Sequence, residues 1–165
     1  MSRGGGAPRR RSRQVALQVL YALDLSTSRK VVAGSVEAAP PRPTEELFGD
    51  VAENFELPQG ACLFAREIVD GVAANRDELD VLLTEAATNW RLSRMAAVDR
   101  NILRIGAYEL TRSDTPTQII LDEAIELARR FGDDPSPAFV NGVLDSVSAA
   151  VRGGSGDRHE SPGRG

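Results

Sequence analysis

The sequence predicts an all-α protein, a bundle of five to seven amphipathic helices, on three observations. Apolar residues recur at helical spacing along most of the chain. No segment of strand length alternates apolar and polar residues, and the β-branched residues fall at helical spacing among aromatics that make up only 5%. Short connections separate the periodic segments, a pattern that packs helix on helix.

The first helix is expected from about Ser12, read as its N-cap, with Ala16, Val19, Leu20 and Leu23 as one apolar stripe. Residues 1–8 (MSRGGGAP) read as a disordered basic N-terminal arm. Residues 26–43 hold three of the nine prolines and no clear period, and read as a flexible insert. A short helix is expected over 44–54. Pro58 opens a better one, with Ala61, Phe64, Ile68 and Val72 on one face. Residues 75–88 continue with Leu79, Leu82, Leu83 and Ala86. The most regular stretch is Met95, Val98, Ile102, Ile105 and the pair Glu109–Leu110, with Arg100 and Arg104 spaced i, i+4 on another face. Thr115–Pro116 ends it. A helix over 117–131 follows, carrying Ile120, Ala124, Leu127 and Phe131, with Gly132 placed as its C′ residue. After the loop Asp133–Pro137, Ser136 reads as an N-cap and Pro137 as the first helical residue of a last helix bearing Val140, Val143, Leu144 and Val147. Residues 152–165 read as a disordered tail, which leaves 9–151 as one helical domain.

Composition narrows the function. No apolar run of about 18 residues exists to span a membrane, and no apolar stretch follows the basic N-terminus as a signal peptide requires, so a cytoplasmic protein with no membrane partner is expected. Cys62 is the only cysteine and falls in an apolar helical stretch, which reads as an inert packed thiol. His159 is the only histidine and lies in the tail. Metal sites built on His or Cys, a Ser-His-Asp triad and the usual general base are thereby removed. The only lysine is Lys30, so the Gly-Lys-Ser/Thr of a phosphate loop is missing. Carboxylates such as Asp122–Glu123 and Asp133–Asp134 are sequence neighbours, which a helix points about 100° apart. No enzyme activity, cofactor or metal is expected.

Charge points elsewhere. Residues 1–13 carry five arginines and no acid, while the remainder carries 15 basic residues against 24 acidic ones. A basic arm on an acidic body suggests a polyanion partner. Arginine grips phosphate in a bidentate way and stacks on bases, as lysine does not. Cations in the first turn of a helix oppose its dipole at a few tenths of a kcal/mol each, roughly, so Arg9, Arg10, Arg11 and Arg13 serve something other than helix stability. The two readings of the arm are contact with nucleic acid and a solubilising tail. Phe139 also admits two readings: exposed beside a loop it stacks on a base, and buried it fills the core.

The run from Arg9 to Tyr21 (RRRSRQVALQVLY), the segments VDRNILRIGAYEL (Val98–Leu110), DEAIELARRFG (Asp122–Gly132) and FVNGVLD (Phe139–Asp145), and Trp90 occur in an order and spacing that resembles the NusB family of transcription antitermination factors. The resemblance covers roughly residues 9–150. It implies an all-α, NusB-like fold of about seven helices in two small helical subdomains. It implies binding of the boxA element in ribosomal RNA leader transcripts jointly with ribosomal protein S10, within the antitermination complex of RNA polymerase. By matched position it gives an RNA-binding role to Arg9, Arg10, Arg11, Arg13 and Phe139, and a protein-partner role to Asp99 and Tyr21. Asn141 reads as a buried structural amide. The family includes monomers and homodimers, and the sequence leaves both open. Three features depart from the pattern: Pro135 stands where the family usually has an acidic residue, the 26–43 insert is longer than usual, and the glycine-arginine tail is extra. Two other readings stand beside this one. A helical protein-interaction module keeps its partner when the arm is deleted. The front domain of an RNA cytosine methyltransferase requires a following Rossmann-type domain, for which a chain ending at Gly165 leaves little room.

Overall fold

The computed structural model describes residues 6–32 and 44–156, with side chains placed over 7–26 and 44–153. Seven α-helices occupy these residues: α1 (Gly6–Val32), α2 (Thr44–Phe55), α3 (Gln59–Ala74), α4 (Arg76–Ala86), α5 (Ala97–Arg112), α6 (Thr117–Phe131) and α7 (Ser136–Gly156). A 3₁₀ turn at Leu92–Arg94 leads into α5, and no strand occurs among the described residues. The all-α expectation holds, and the four helices from α3 to α6 begin and end within two residues of the sequence reading.

The helices form two groups around one continuous core. Helix α1 packs on α2 and α3, and α5, α6 and α7 pack on one another, with α4 against α5 and α7. Helix α5 joins the groups because it also touches α1 and α3. That is why its sequence is the most regular: Ile102, Leu103, Ile105 and Ala107 are all buried, so apolar residues are needed on nearly every side. Around it close Val15, Ala16 and Val19 of α1, Ile68, Val69 and Val72 of α3, Leu79 and Leu83 of α4, Ala124, Leu127 and Ala128 of α6, and Val140, Leu144 and Val147 of α7. Burying each large aliphatic side chain is worth roughly 1.5–3 kcal/mol. Cys62 is half-buried against this core. Two glycines allow the closest approaches. A Cβ on Gly106 would stand 2.6 Å from Leu144 Cδ1, and one on Gly71 would enter the ring of Tyr108.

The chain ends differ from the sequence reading. Helix α1 starts at Gly6, not near Ser12, and it continues to Val32 through the first part of the segment read as a flexible insert. Pro8 is tolerated because a first-turn N–H has no helical acceptor to lose. Residues 26–32 contain neither glycine nor proline, and the next such residue is Gly34. The rest of the insert, the arm before Gly6 and the tail beyond Gly156 lie outside the described residues. The tail boundary moves as well, since α7 runs to Gly156.

Three capping assignments are also corrected. Ser12 is buried inside α1, and its hydroxyl lies 2.9 Å from the carbonyl of Pro8 and 2.8 Å from that of Ala61, which ties α1 to α3. Ser136 closes the loop rather than the helix: its Oγ accepts from the Asp133 N–H at 3.1 Å, and its own N–H donates to Asp133 O at 3.0 Å. Gly132 is extended (φ −95°), not left-handed. Space is what it supplies, since a Cβ there would stand 2.7 Å from Ser136 Cβ and 2.8 Å from Ala128 O.

Candidate nucleic-acid interface

A helix turns about 100° per residue, so the four arginines of α1 leave it in different directions. Arg11 points outward and is exposed, with no ion pair among the described residues. Arg9 is exposed, its guanidinium 4.8 Å from the ring centroid of Phe64 on α3, a cation–π contact that leaves the charge open to solvent. Arg10 reaches across to α6 and holds Glu123 with two hydrogen bonds, Nε to Oε2 at 3.1 Å and Nη2 to Oε1 at 2.9 Å. Its side chain stays half exposed. The hydrogen bonds and charge of Glu123 raise its pKa further, so it is cationic at every accessible pH.

Arg13, expected on the RNA surface with its neighbours, is placed differently. It is 3% exposed and grips Glu109 of α5 in a fork, Nε to Oε2 at 3.0 Å and Nη2 to Oε1 at 2.7 Å, with Glu109 itself 2% exposed. Its guanidinium also lies 5.3 Å from the Phe64 centroid. A cation committed to a buried carboxylate is not available to a phosphate in solvent. The helical phase carried this signal: Arg13 precedes Ala16 by three residues and so lies on the apolar stripe.

Arg10 and Arg11 line a groove of about 680 Å³ between α1, the end of α2 and α6. Arg130 of α6 lines it too, together with Gln14, Asn54, Glu56 and Glu123. Sequence reasoning missed Arg130, because only the packing of α6 beside α1 brings it to the arm. It also missed Phe64 as the platform under Arg9. Glu56 closes α2 at the groove edge with φ 47°, the one left-handed non-glycine residue among those described.

A second patch lies beyond the turn between α6 and α7. The rings of Trp90 and Phe139 meet edge to face, centroids 5.5 Å apart at 66°. Trp90 is 62% exposed and Phe139 half-buried. Asp99 shares this hollow with them, and its Oδ1 is buried with no hydrogen-bond partner. Tyr21 is elsewhere, on the outer face of α1, where it and Leu25 one turn later are 37% and 42% exposed. Asn141, read as a buried amide, is exposed.

A third cluster locks α1 to α5. Asp24 is buried and accepts from Arg100 Nε at 2.8 Å and from Asn101 Nδ2 at 3.0 Å, with Arg104 at 3.4 Å and Arg76 at 3.6 Å. Burial pushes its pKa up, but the hydrogen bond and charge of Arg100, the Asn101 amide and the charge of Arg104 together outweigh that, and the net is below the usual carboxylate range. The i, i+4 arginines noted in the sequence thus serve the interior.

Fold and surface together define a small helical protein with an arginine-lined groove between α1, α2 and α6 and an aromatic hollow at the start of α7. Among the described residues, no group of His, Cys, Asp and Glu is arranged to hold a metal, and no helix is long and apolar enough to cross a membrane. A sequence model of the NusB family matches residues 10–149. The transcription antitermination protein NusB of Myxococcus xanthus is 42% identical over 144 residues, covering 87% of this chain and 96% of that protein. That of Sorangium cellulosum is 45% identical over 139 residues, 82% of this chain and 88% of its own. Among solved structures, T. maritima NusB superposes with a TM-score of 0.73 at 30% identity over 87% of this chain and 92% of that one. A structure described as antitermination factors NusB and NusE in complex with dsRNA gives 0.72 at 26% identity, covering 87% and 97%. The chain belongs to the NusB family.

Proposed function

We infer that this chain is a transcription antitermination factor that binds the boxA element of ribosomal RNA leader transcripts together with ribosomal protein S10, and so helps RNA polymerase read through terminators. The observation that carries this reading is the outward presentation of Arg9, Arg10 and Arg11 from the start of α1, with Arg10 and Arg11 lining a groove that also receives Arg130 and Arg9 standing over Phe64 on the α3 side. The related NusB crystallised with NusE and dsRNA supports it. Arg9, Arg10, Arg11 and Arg130 neutralise phosphates, Arg10 exchanging Glu123 for the RNA. Phe139, with Trp90 beside it, supplies a stacking surface for an unpaired base. Tyr21 and Leu25 form an exposed apolar step on α1 suited to the protein partner. Arg13 holds α1 in position and takes no part in binding. No group on this surface calls for catalysis, and the activity is one of assembly.

The test is binding of a fluorescent boxA-type RNA, with and without S10, to the intact chain and to an Arg9/Arg10/Arg11→Ala variant at two salt concentrations. S10 is expected to tighten binding, and the variant to lose both affinity and salt dependence. An intact chain with no RNA affinity even when S10 is bound would leave the arm a mere tail and the protein a protein-interaction module.

A further inference from the structure

Gln14 is the residue of the arginine groove that phosphate binding leaves unexplained. Glutamine usually lies at the surface, yet Gln14 is only 7% exposed. What remains exposed opens onto the groove of about 680 Å³. Its carboxamide has no hydrogen-bond partner among the described residues and is not sealed from the groove. An apolar side chain of the same size would fill that wall without desolvating an amide. A buried stem with a free polar tip is built to meet a ligand. We propose that the groove takes one unpaired RNA base, that Gln14 reads its edge, and that adenine is the base preferred.

Helical phase sets Gln14 behind the phosphate contacts. It follows Arg10 by four residues and Arg11 by three, so it lies on their side of α1 one turn further in, about 6 Å along the axis. A strand that gives its phosphates to Arg10, Arg11 and Arg130 therefore turns a base toward Gln14. Phe55, half-buried at the end of α2, lines the same groove and offers the base an apolar face. Helix α6 closes the other side with Glu123 and Arg130.

The donors and acceptors choose the base. A carboxamide donates and accepts side by side, so it pairs with an edge that does the same. Adenine alone presents such a pair on both of its edges, the 6-amino group with N1 and the 6-amino group with N7. Guanine shows only acceptors on its N7 edge, and each pyrimidine has a single matching edge. The rest of the groove adds acceptors. Asn54 gives its Nδ2 to Asp50 O at 3.0 Å, which leaves its Oδ1 to accept, and Glu56 brings a carboxylate to the same rim. The second hydrogen of the 6-amino group suits them, whereas uracil has no amino group to offer. The proposal rests on the RNA-binding reading above.

The experiment measures affinities, with S10 present, of labelled single-stranded RNAs that are all uracil except for one adenine at a scanned position. The same strands carry uracil or unsubstituted purine there for comparison. Purine keeps the rings and lacks the 6-amino group. At one position the intact chain is expected to bind adenine about tenfold tighter than uracil, with purine close to uracil. Gln14→Leu should abolish that preference while keeping the salt-dependent affinity of the arginines, and thermal unfolding confirms that it folds. The change in the ratio between strands from the intact chain to the variant is the readout, since S10 contributes equally to both. The purine strand needs no variant, so the base contact stays testable if the substitution disturbs α1. Equal affinity for adenine, purine and uracil at all positions, with binding still lost in Arg9/Arg10/Arg11→Ala, overturns the proposal and leaves the RNA reading intact. A Gln14→Leu chain that folds and keeps the full preference also overturns it and places the reading of bases elsewhere. If no strand binds the intact chain, the RNA reading falls and the role of Gln14 with it.

Discussion

Arg11 and Arg13 are two residues apart in one cationic run, yet one stands in solvent and the other lies inside the protein on Glu109. The contrast extends across the molecule. Arg13, Arg100 and Arg104 are cations that hold α5 against α1 and α4 through Glu109, Asp24 and Asp80. Arg9, Arg10, Arg11 and Arg130 keep their charges at or near the surface. The lesson is that a cluster in sequence is not a cluster in space once a helix distributes it. One of the four arginines that read as a binding motif is chosen by the interior. A buried pair is worth little when compared with an apolar pair of the same size, but losing one member leaves an uncompensated charge, and that is expensive.

The sharpest way to break this division is to remove a buried arginine. Arg13→Ala is expected to cost about 3–5 kcal/mol by leaving Glu109 buried and alone. The denaturation midpoint should fall at unchanged slope, while the folded fraction keeps its RNA affinity. The double replacement Arg13→Met with Glu109→Leu should recover most of the loss. A stable Arg13→Ala protein that no longer binds RNA would put Arg13 back among the binding residues.

Asp24 comes next. Asp24→Asn should cost about 3 kcal/mol, at the low end for a broken buried pair because Arg104 keeps Asp80. It should also change the acid limb of stability. The folded pKa of Asp24 is depressed, so its contribution is complete above the unfolded value of about 3.9 and is lost as pH falls through the lower folded value. Urea midpoints measured from pH 6 downward should decline less steeply in the variant than in the intact chain.

The exposed arginines should behave in the opposite way. Arg9/Arg10/Arg11→Ala is expected to change stability by less than about 1 kcal/mol. Its effect should appear in RNA binding alone. The smallest effect concerns the pair that spans both classes. Glu123→Gln frees Arg10 from its fork, and the half-exposed ion pair lost is worth under about 1 kcal/mol. RNA affinity should rise a few-fold, and by more than in Asp122→Asn, which removes an exposed charge on the same helix without touching Arg10. Equal gains from the two variants would reduce the Arg10–Glu123 pair to general electrostatics.

Much of the fold was legible because α3, α4, α5 and α6 obey one period and stop at proline, glycine or a short loop. The extent of α1 was not, since a run without breakers such as residues 26–32 reads alike as coil or as helix until its neighbours are known. Ser136 and Gly132 were assigned by local capping preference, while packing set their roles: the hydroxyl closes the loop and the missing Cβ makes room for it. In the candidate site, the arginine run was visible but its partition was hidden except in the phase that puts Arg13 on the stripe of Ala16. Arg130, Phe64 and the pairing of Trp90 with Phe139 arise from contacts between helices distant in sequence, which no periodicity reveals.

The most direct test of the division is the salt dependence of affinity for a boxA-type RNA in the presence of S10, measured for the intact chain and for Arg9/Arg10/Arg11→Ala. Each phosphate contact on a single strand contributes about −0.7 to the slope of log affinity against log salt. The account predicts that the variant's slope is shallower by about 2, the share of three contacts. Identical slopes for the two proteins would contradict it, and the RNA would have to lie on another face.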